Sequence, residues 1–255
     1  MNHIKKEKAT LKRSDYGDNN RFIIHELLHI YGSTGSDIVA LEDFNLNIKK
    51  HEFLAIMGPS GSGKTTLMKI LTGLIRHTSG DITLKLNGGE IVKFSDLDFD
   101  QLIRFRLNYI GYIQQQLILF QNLNVYENIL LPKLIMLEES NEKMSKEEGI
   151  EIQKKADEIL KYMGIYKRRF HNIDQISGGE KQRVVICSAL MKKPEILIAD
   201  EPTGELDSDN AKNIFKLFKK ISSDKNMTVI CATHNNLVRE YADRVVNIID
   251  GKRIN

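Results

Sequence analysis

Phe53-Leu54-Ala55-Ile56-Met57-Gly58-Pro59-Ser60-Gly61-Ser62-Gly63-Lys64-Thr65-Thr66 is the stretch that decides the fold. The five apolar residues mark a short buried strand, and Leu67, Ile70, Leu71 and Leu74 beyond the turn follow helical spacing. Strand, glycine-rich loop and helix therefore follow one another, and Gly58 to Thr65 fits the pattern G-x-x-x-x-G-K-[ST]. The glycines let successive backbone N–H groups and the helix N-terminus face a negative charge. Lys64 adds a point charge toward the β and γ phosphates, and the Thr65 hydroxyl is placed for Mg²⁺. This is a site for a nucleoside triphosphate.

Upstream of the loop, Phe22, Ile24, Leu28 and Ile30, then Phe44, Leu46 and Ile48, alternate at period two and predict half-buried strands. Downstream, Ile82, Leu84 and Leu86 lead to Asn87-Gly88, a hairpin signal, so an antiparallel unit is spliced into the α/β pattern. Asn108 to Ile113 reads as a further strand. From about Gln116 to Gly179 helix signals dominate: Asn124 with Glu127, Ser145 with Glu148 and Ser177 with Glu180 fit the cap-x-x-Glu start, and Ile152, Ala156, Ile159, Leu160 and Met163 form one stripe ended by Gly164. The α/β pattern resumes with strand Ile196–Ala199, a helix stripe at Ile214, Leu217, Phe218 and Ile221, and strand Thr228–Ala232. Val245 to Ile249 before Asp250-Gly251 predicts a closing hairpin.

Asp200 ends a buried strand, the usual place for a second Mg²⁺ anchor, and Glu201 is next to it. Adjacent acids at a strand end point apart, so one can serve the metal while the other polarises water. Ser177-Gly178-Gly179-Glu180 opens a helix and forms a second anion-binding start. Gln114-Gln115-Gln116 follows the Asn108–Ile113 stretch, and His234 follows the Thr228–Ala232 strand; singly, each is an ordinary loop feature.

In combination and order these motifs resemble the ATP-binding cassette family of transport ATPases over about residues 21–255. The resemblance implies a P-loop NTPase (RecA-like) α/β core with an N-terminal antiparallel β subdomain and an inserted α-helical signature subdomain at about 116–180. It makes Gly58 to Thr66 (Gly58, Pro59, Ser60, Gly61, Ser62, Gly63, Lys64, Thr65, Thr66) the Walker A loop and Gln115 the Q-loop residue, with Gln114 and Gln116 as neighbouring alternatives. Ser177, Gly178, Gly179 and Glu180 become the signature, Asp200 and Glu201 the Walker B acids, Asp207 the D-loop residue and His234 the switch histidine. Tyr31 matches the aromatic that stacks on adenine. The implied chemistry is ATP hydrolysis with Mg²⁺ held by Thr65, Gln115 and Asp200. Two copies pair head to tail so that the signature of one caps ATP on the other.

Closer similarity is to the lipoprotein-release, macrolide-export and cell-division branch, carried by Ile110-Gly111-Tyr112, Tyr126-Glu127-Asn128-Ile129 and Asp200 to Ser208. That branch works with a separate membrane permease and places the chain at the cytoplasmic face of the membrane; its cell-division members instead regulate an envelope enzyme without transport. Ile176 and Glu180 stand where Leu and Gln are commonest, and Glu205 where this branch often has Asn.

Composition bounds the alternatives. Lysine plus arginine number 37 and aspartate plus glutamate 34 in 255 residues, and the surplus sits in residues 1–21, which carry six bases and three acids. The remainder is balanced, which argues against a nucleic-acid partner. Residues 1–20 lack periodicity and read as a disordered basic tail, with the cassette domain over 21–255. Cys187 and Cys231 lie in apolar runs and read as buried thiols, and no run approaches the ~18 apolar residues of a membrane span. A soluble cassette ATPase of ribosomes or DNA usually carries two cassettes or a long coiled coil, and a P-loop kinase has no use for Ser177-Gly178-Gly179 with His234.

Overall fold

The period-two stretches become long strands and the loop-helix segment becomes the start of a parallel sheet. The computed structural model describes residues 19–32, 36–139 and 144–254. In chain order these form β1 (Asn20–Tyr31), β2 (Ile38–Lys49), β3 (Phe53–Met57), α1 (Lys64–Leu71), β4 (Ser79–Lys85), β5 (Ile91–Lys93), α2 (Phe99–Tyr109) and β6 (Ile110–Ile113). They continue with α3 (Val125–Glu139), α4 (Lys146–Tyr162), α5 (Gly178–Met191), β7 (Ile196–Asp200), α6 (Ser208–Lys225), β8 (Thr228–Thr233), β9 (Arg244–Ile249) and β10 (Lys252–Arg253). The expected tail lies outside the described residues except for Asn19 and Asn20, and Asn20 already belongs to β1.

Two sheets result. The antiparallel one has the order β2-β1-β4-β5, with Ile24 opposite Leu46 and Ile82. The other has the order β10-β9-β3-β8-β7-β6, in which β9, β3, β8, β7 and β6 run parallel. This is the expected α/β core with an antiparallel β unit beside it. In β3 successive side chains enter different cores: Leu54 and Ile56 pack with Phe22, Phe44 and Leu67 toward the antiparallel sheet, whereas Phe53, Ala55 and Met57 pack with Val184, Phe215 and Phe218 toward α5 and α6. Because β8 lies between β3 and β7, the loop after β3 and the acids after β7 emerge at the same carboxyl edge.

A buried charge ties the sheets. Arg21 of β1 is fully buried; its Nη1 donates to Glu195 Oε2 at 2.6 Å and to Lys85 O at 2.7 Å, and its Nη2 to Asn87 Oδ1 at 2.6 Å. Burial lowers the Arg21 pKa, and Glu195 opposes the shift.

The three cap-x-x-Glu pairs form as reciprocal side-chain-to-backbone hydrogen bonds: Asn124 with Glu127, Ser145 with Glu148, and Ser177 with Glu180. Two local readings are corrected. Asn108 and Tyr109 belong to helix α2, and the strand begins at Ile110; α2 starts from a capping box of Asp98 with Gln101 and buries Leu102 and Phe105, and these tertiary contacts outweigh local strand propensity. Helix α1 ends at Leu71, and Leu74 is exposed. Cys187 and Cys231 are buried, and burial pushes both thiols up.

Candidate functional site

Helix α1 begins without a side-chain cap. Its N-cap residue is Gly63 at φ 100°, a left-handed conformation, and a Cβ there would run into the Ala40 carbonyl, so only glycine fits. The first-turn N–H groups are thus unclaimed by any capping side chain and available to an anion. Lys64 is folded back over the loop: its Nζ donates to Gly58 O at 2.8 Å and Pro59 O at 2.9 Å and lies 3.7 Å from Glu201 Oε1. Thr65 Oγ1 donates to Asp200 Oδ1 at 3.2 Å.

Asp200 and Glu201 do point apart, and the backbone shows why. Glu201 sits at φ 48°, outside the strand conformation, with its N–H donating to Ala232 O at 2.8 Å. Such a conformation costs a non-glycine residue about 1 kcal/mol and turns its side chain away from the line of β7. Glu201 Oε2 then lies 3.1 Å from His234 Nδ1 and accepts from the His234 backbone N–H at 3.3 Å. Glu201 is thereby held between a buried ammonium and a largely exposed imidazole. Burial is the main cause that raises the Asp200 pKa, and the Thr65 hydroxyl opposes it.

These groups share a cavity of about 630 Å³. Ser60, Gly61, Gly63, Lys64, Thr65 and Thr66 of the loop and first helical turn line it together with Glu201, His234 and Tyr31. Tyr31 is 40% exposed; its hydroxyl is 3.3 Å from Thr66 Oγ1 and its ring packs edge-to-face on His29. Gln115 lines this cavity, whereas Gln114 and Gln116 line a separate groove of about 250 Å³ with Ile118, Pro132 and Val185.

Other expected site residues stand apart. Gly58, Pro59, Ser62 and Asp200 do not line the cavity; Ser62 and Asp200 are buried, and Pro59 is exposed. Of the signature, Gly178 alone reaches its rim, while Ser177, Gly179, Glu180 and also Asp207 do not. Gly179 lies against α6, where a Cβ would stand 2.7 Å from Asn210 Oδ1; Asp207 caps that helix, accepting from Asn210 N at 2.8 Å and Asn210 Nδ2 at 2.6 Å. Gln182 is a polar lining residue that no motif marks: it lines the cavity, is 2% exposed, and its Nε2 has no hydrogen-bond partner. It follows Gly178 by one helical turn, a spacing that puts both on one face of α5.

Comparison with known proteins agrees with this geometry. A family model described as ABC transporter matches residues 41–204. An uncharacterised ABC transporter ATP-binding protein of Methanocaldococcus jannaschii, MJ0796, is 40% identical over 221 residues, which cover 86% of this chain and 89% of the relative. The lipoprotein-releasing system ATP-binding protein LolD of Francisella tularensis is 36% identical, covering 87% of this chain and 90% of its own. The dimeric structure of MJ0796 superposes with a TM-score of 0.79 at 36% identity, covering 92% of this chain and 97% of that one. A post-hydrolysis state of the same cassette, bound to ADP and Pi, gives 0.78. The chain belongs to the ABC transporter ATP-binding cassette family, and its reaction class is that family's ATPase.

Proposed function

We propose that the chain hydrolyses ATP as one of two copies paired head to tail beneath a separate membrane permease of the lipoprotein-release or macrolide-export type. The observation that carries the catalytic half is Glu201, a buried residue lining the cavity, 3.7 Å from Lys64 Nζ and 3.1 Å from His234 Nδ1. A carboxylate so held is suited to orient and polarise an attacking water, and His234 to contact the γ phosphate. Lys64 exchanges the Gly58 and Pro59 carbonyls for the β and γ phosphates. The backbone N–H groups of the loop beyond Pro59, which has none to give, hold the remaining charge, and Tyr31 stacks on adenine.

Thr65, Gln115 and Asp200 are an all-oxygen donor set with one carboxylate, which suits Mg²⁺ completed by phosphates and water. The Thr65–Asp200 contact of 3.2 Å supports that assignment. When bound, the ion neutralises charge on the β and γ phosphate oxygens.

Pairing is supported by the position of Ser177, Gly179 and Asp207 away from their own chain's cavity, and by the dimer formed by MJ0796. In this reading Ser177, Gly178, Gly179 and Glu180 cap ATP on the second copy and Asp207 couples the two sites. The permease reading draws on LolD and on the groove of Gln114, Gln116 and Ile118, next to exposed Phe120. No helix among the described residues is long and apolar enough to cross a membrane. In this reading the permease holds the chain at the cytoplasmic face. Affinity purification from detergent-solubilised membranes tests this: recovery of a transport permease supports it. Recovery of ribosomes, or of an envelope sensor or hydrolase without a permease, overturns the transport reading.

A further inference from the structure

The departure at Glu180 has a physical partner in Arg168. Its Nε donates to Glu180 Oε1 at 2.8 Å, while Glu180 Oε2 accepts from Ser177 N at 2.9 Å and Glu180 N donates to Ser177 Oγ at 3.3 Å. The Ser177 backbone N–H is the first cause of a lowered Glu180 pKa, and Arg168 adds to it, so the carboxylate is charged at neutral pH. We infer that Arg168 is a positioning residue for the signature, one that neutralises Glu180 and so lets the start of α5 receive the triphosphate held by a second copy of the chain. The inference rests on the head-to-tail reading above.

Glutamine can fill the same reciprocal cap, since its amide oxygen also accepts from the Ser177 N–H. Glutamate differs by a full negative charge in the first turn of the helix whose N-terminus must accept an anion. Left alone, that charge would repel the incoming phosphates. Arg168 is fixed where it can cancel it: Arg168 N donates to Ile165 O at 2.8 Å, and the residues that follow are stitched to the start of α3 by Val125 N to His171 O and Tyr126 N to Arg169 O. Its neighbour Arg169 is committed elsewhere, bonding Tyr166 O and lying over the Tyr166 and Phe170 rings. Arg168 Nη1 also lies 3.4 Å from His171 Nε2.

The test uses the full chain carrying Glu201→Gln, with dimer formation in Mg-ATP followed by sedimentation equilibrium and ATP affinity measured separately on dilute monomer. Arg168→Ala is expected to weaken dimerisation about three- to fivefold, the scale of a partly exposed ion pair, with monomer ATP affinity unchanged. Arg168→Lys recovers part of the loss, and Glu180→Gln makes Arg168→Ala silent because no charge remains to cancel. Gly178→Arg is the control for the pairing itself: a Cβ there meets only Leu206 Cδ2 at 3.7 Å, so the monomer tolerates it while the capping surface is blocked. If Gly178→Arg abolishes the dimer and Arg168→Ala does not weaken it, the role of Arg168 is refuted and the pairing stands. If Gly178→Arg dimerises like its parent, both are refuted. Loss of monomer ATP affinity in Arg168→Ala, or an equal Arg168→Ala defect with Gln at 180, also overturns the inference.

Discussion

Glu201 Oε1 lies 3.7 Å from Lys64 Nζ with both side chains at least nine-tenths buried, so the candidate base and the candidate phosphate-binding cation form one unit. Two charges kept this far from water hold each other in place, and removing either leaves the other uncompensated. Lys64→Met is therefore expected to do two things: lower hydrolysis by at least ~100-fold through lost electrostatic stabilisation, and lower the melting temperature. Steady-state phosphate release and thermal unfolding check both, and a variant hydrolysing at the parent rate would separate Lys64 from catalysis.

Tyr31 lines the cavity with its ring braced edge-to-face by His29. Tyr31→Ala is expected to weaken ATP binding by about 1–2 kcal/mol, the scale of an aromatic-base stack, with little change in turnover at saturation. Equilibrium binding of ATP against ribose triphosphate lacking a base isolates the effect. Equal losses for the two ligands would assign Tyr31 to the triphosphate end.

Gly179 backs onto Asn210, whose amide donates to Asp207. Gly179→Ala places a methyl within 2.7 Å of Asn210 Oδ1 and displaces an amide already engaged by Asp207. About 1 kcal/mol of stability should be lost with that hydrogen bond. ATP-dependent pairing should fall as well, since signature and D-loop shift together. Urea unfolding and dimer affinity measure the two, and an unaffected dimer would uncouple these segments.

The half-buried ammonium of Lys192 carries a pH signature. Burial first, then Arg106, pushes its pKa down to about 8, while Nζ donates to Ile110 O at 2.9 Å. Between about pH 8 and 9 the unfolded chain, with its lysine near 10.5, holds a proton that the folded chain is releasing, so this group makes stability rise with pH. Above that window the raised thiols of Cys187 and Cys231 act in the opposite sense. Lys155, also pushed down to about 8 chiefly by burial, acts in the same window. Lys192→Met should therefore reduce, without abolishing, the rise in urea midpoint between pH 7.5 and 9, and an unchanged slope would remove Lys192 as one of its causes.

Much of this molecule was legible because local sequence fixes local geometry. Gly58 to Thr66 requires a strand before it and a helix after it, and β3 and α1 supply both. Ser177-x-x-Glu180 is a cap whose two hydrogen bonds are written in four residues. What escaped depends on contacts distant in sequence. Asn108 and Tyr109 read as strand because their continuation of α2 is fixed by Asp98, ten residues earlier. Which of the three glutamines lines the cavity, Gln115, is set by the assembled fold and not by the run itself. Gln182 and Arg168 gain significance only from what stands opposite them, and Arg21 only from Glu195, 174 residues away. Those positions carry no motif, since their partners are chosen by the assembled fold.

In the proposed function, ATP held by Lys64 in one chain is completed by Ser177 of another and cleaved with the help of Glu201. The most direct measurement is the solution mass of Glu201→Gln with Mg-ATP, with Mg-ADP and without nucleotide, alongside its hydrolysis rate. A dimer is expected with Mg-ATP alone, with hydrolysis reduced by about 100-fold or more. A monomer in all three conditions, or hydrolysis at the parent rate, would contradict it.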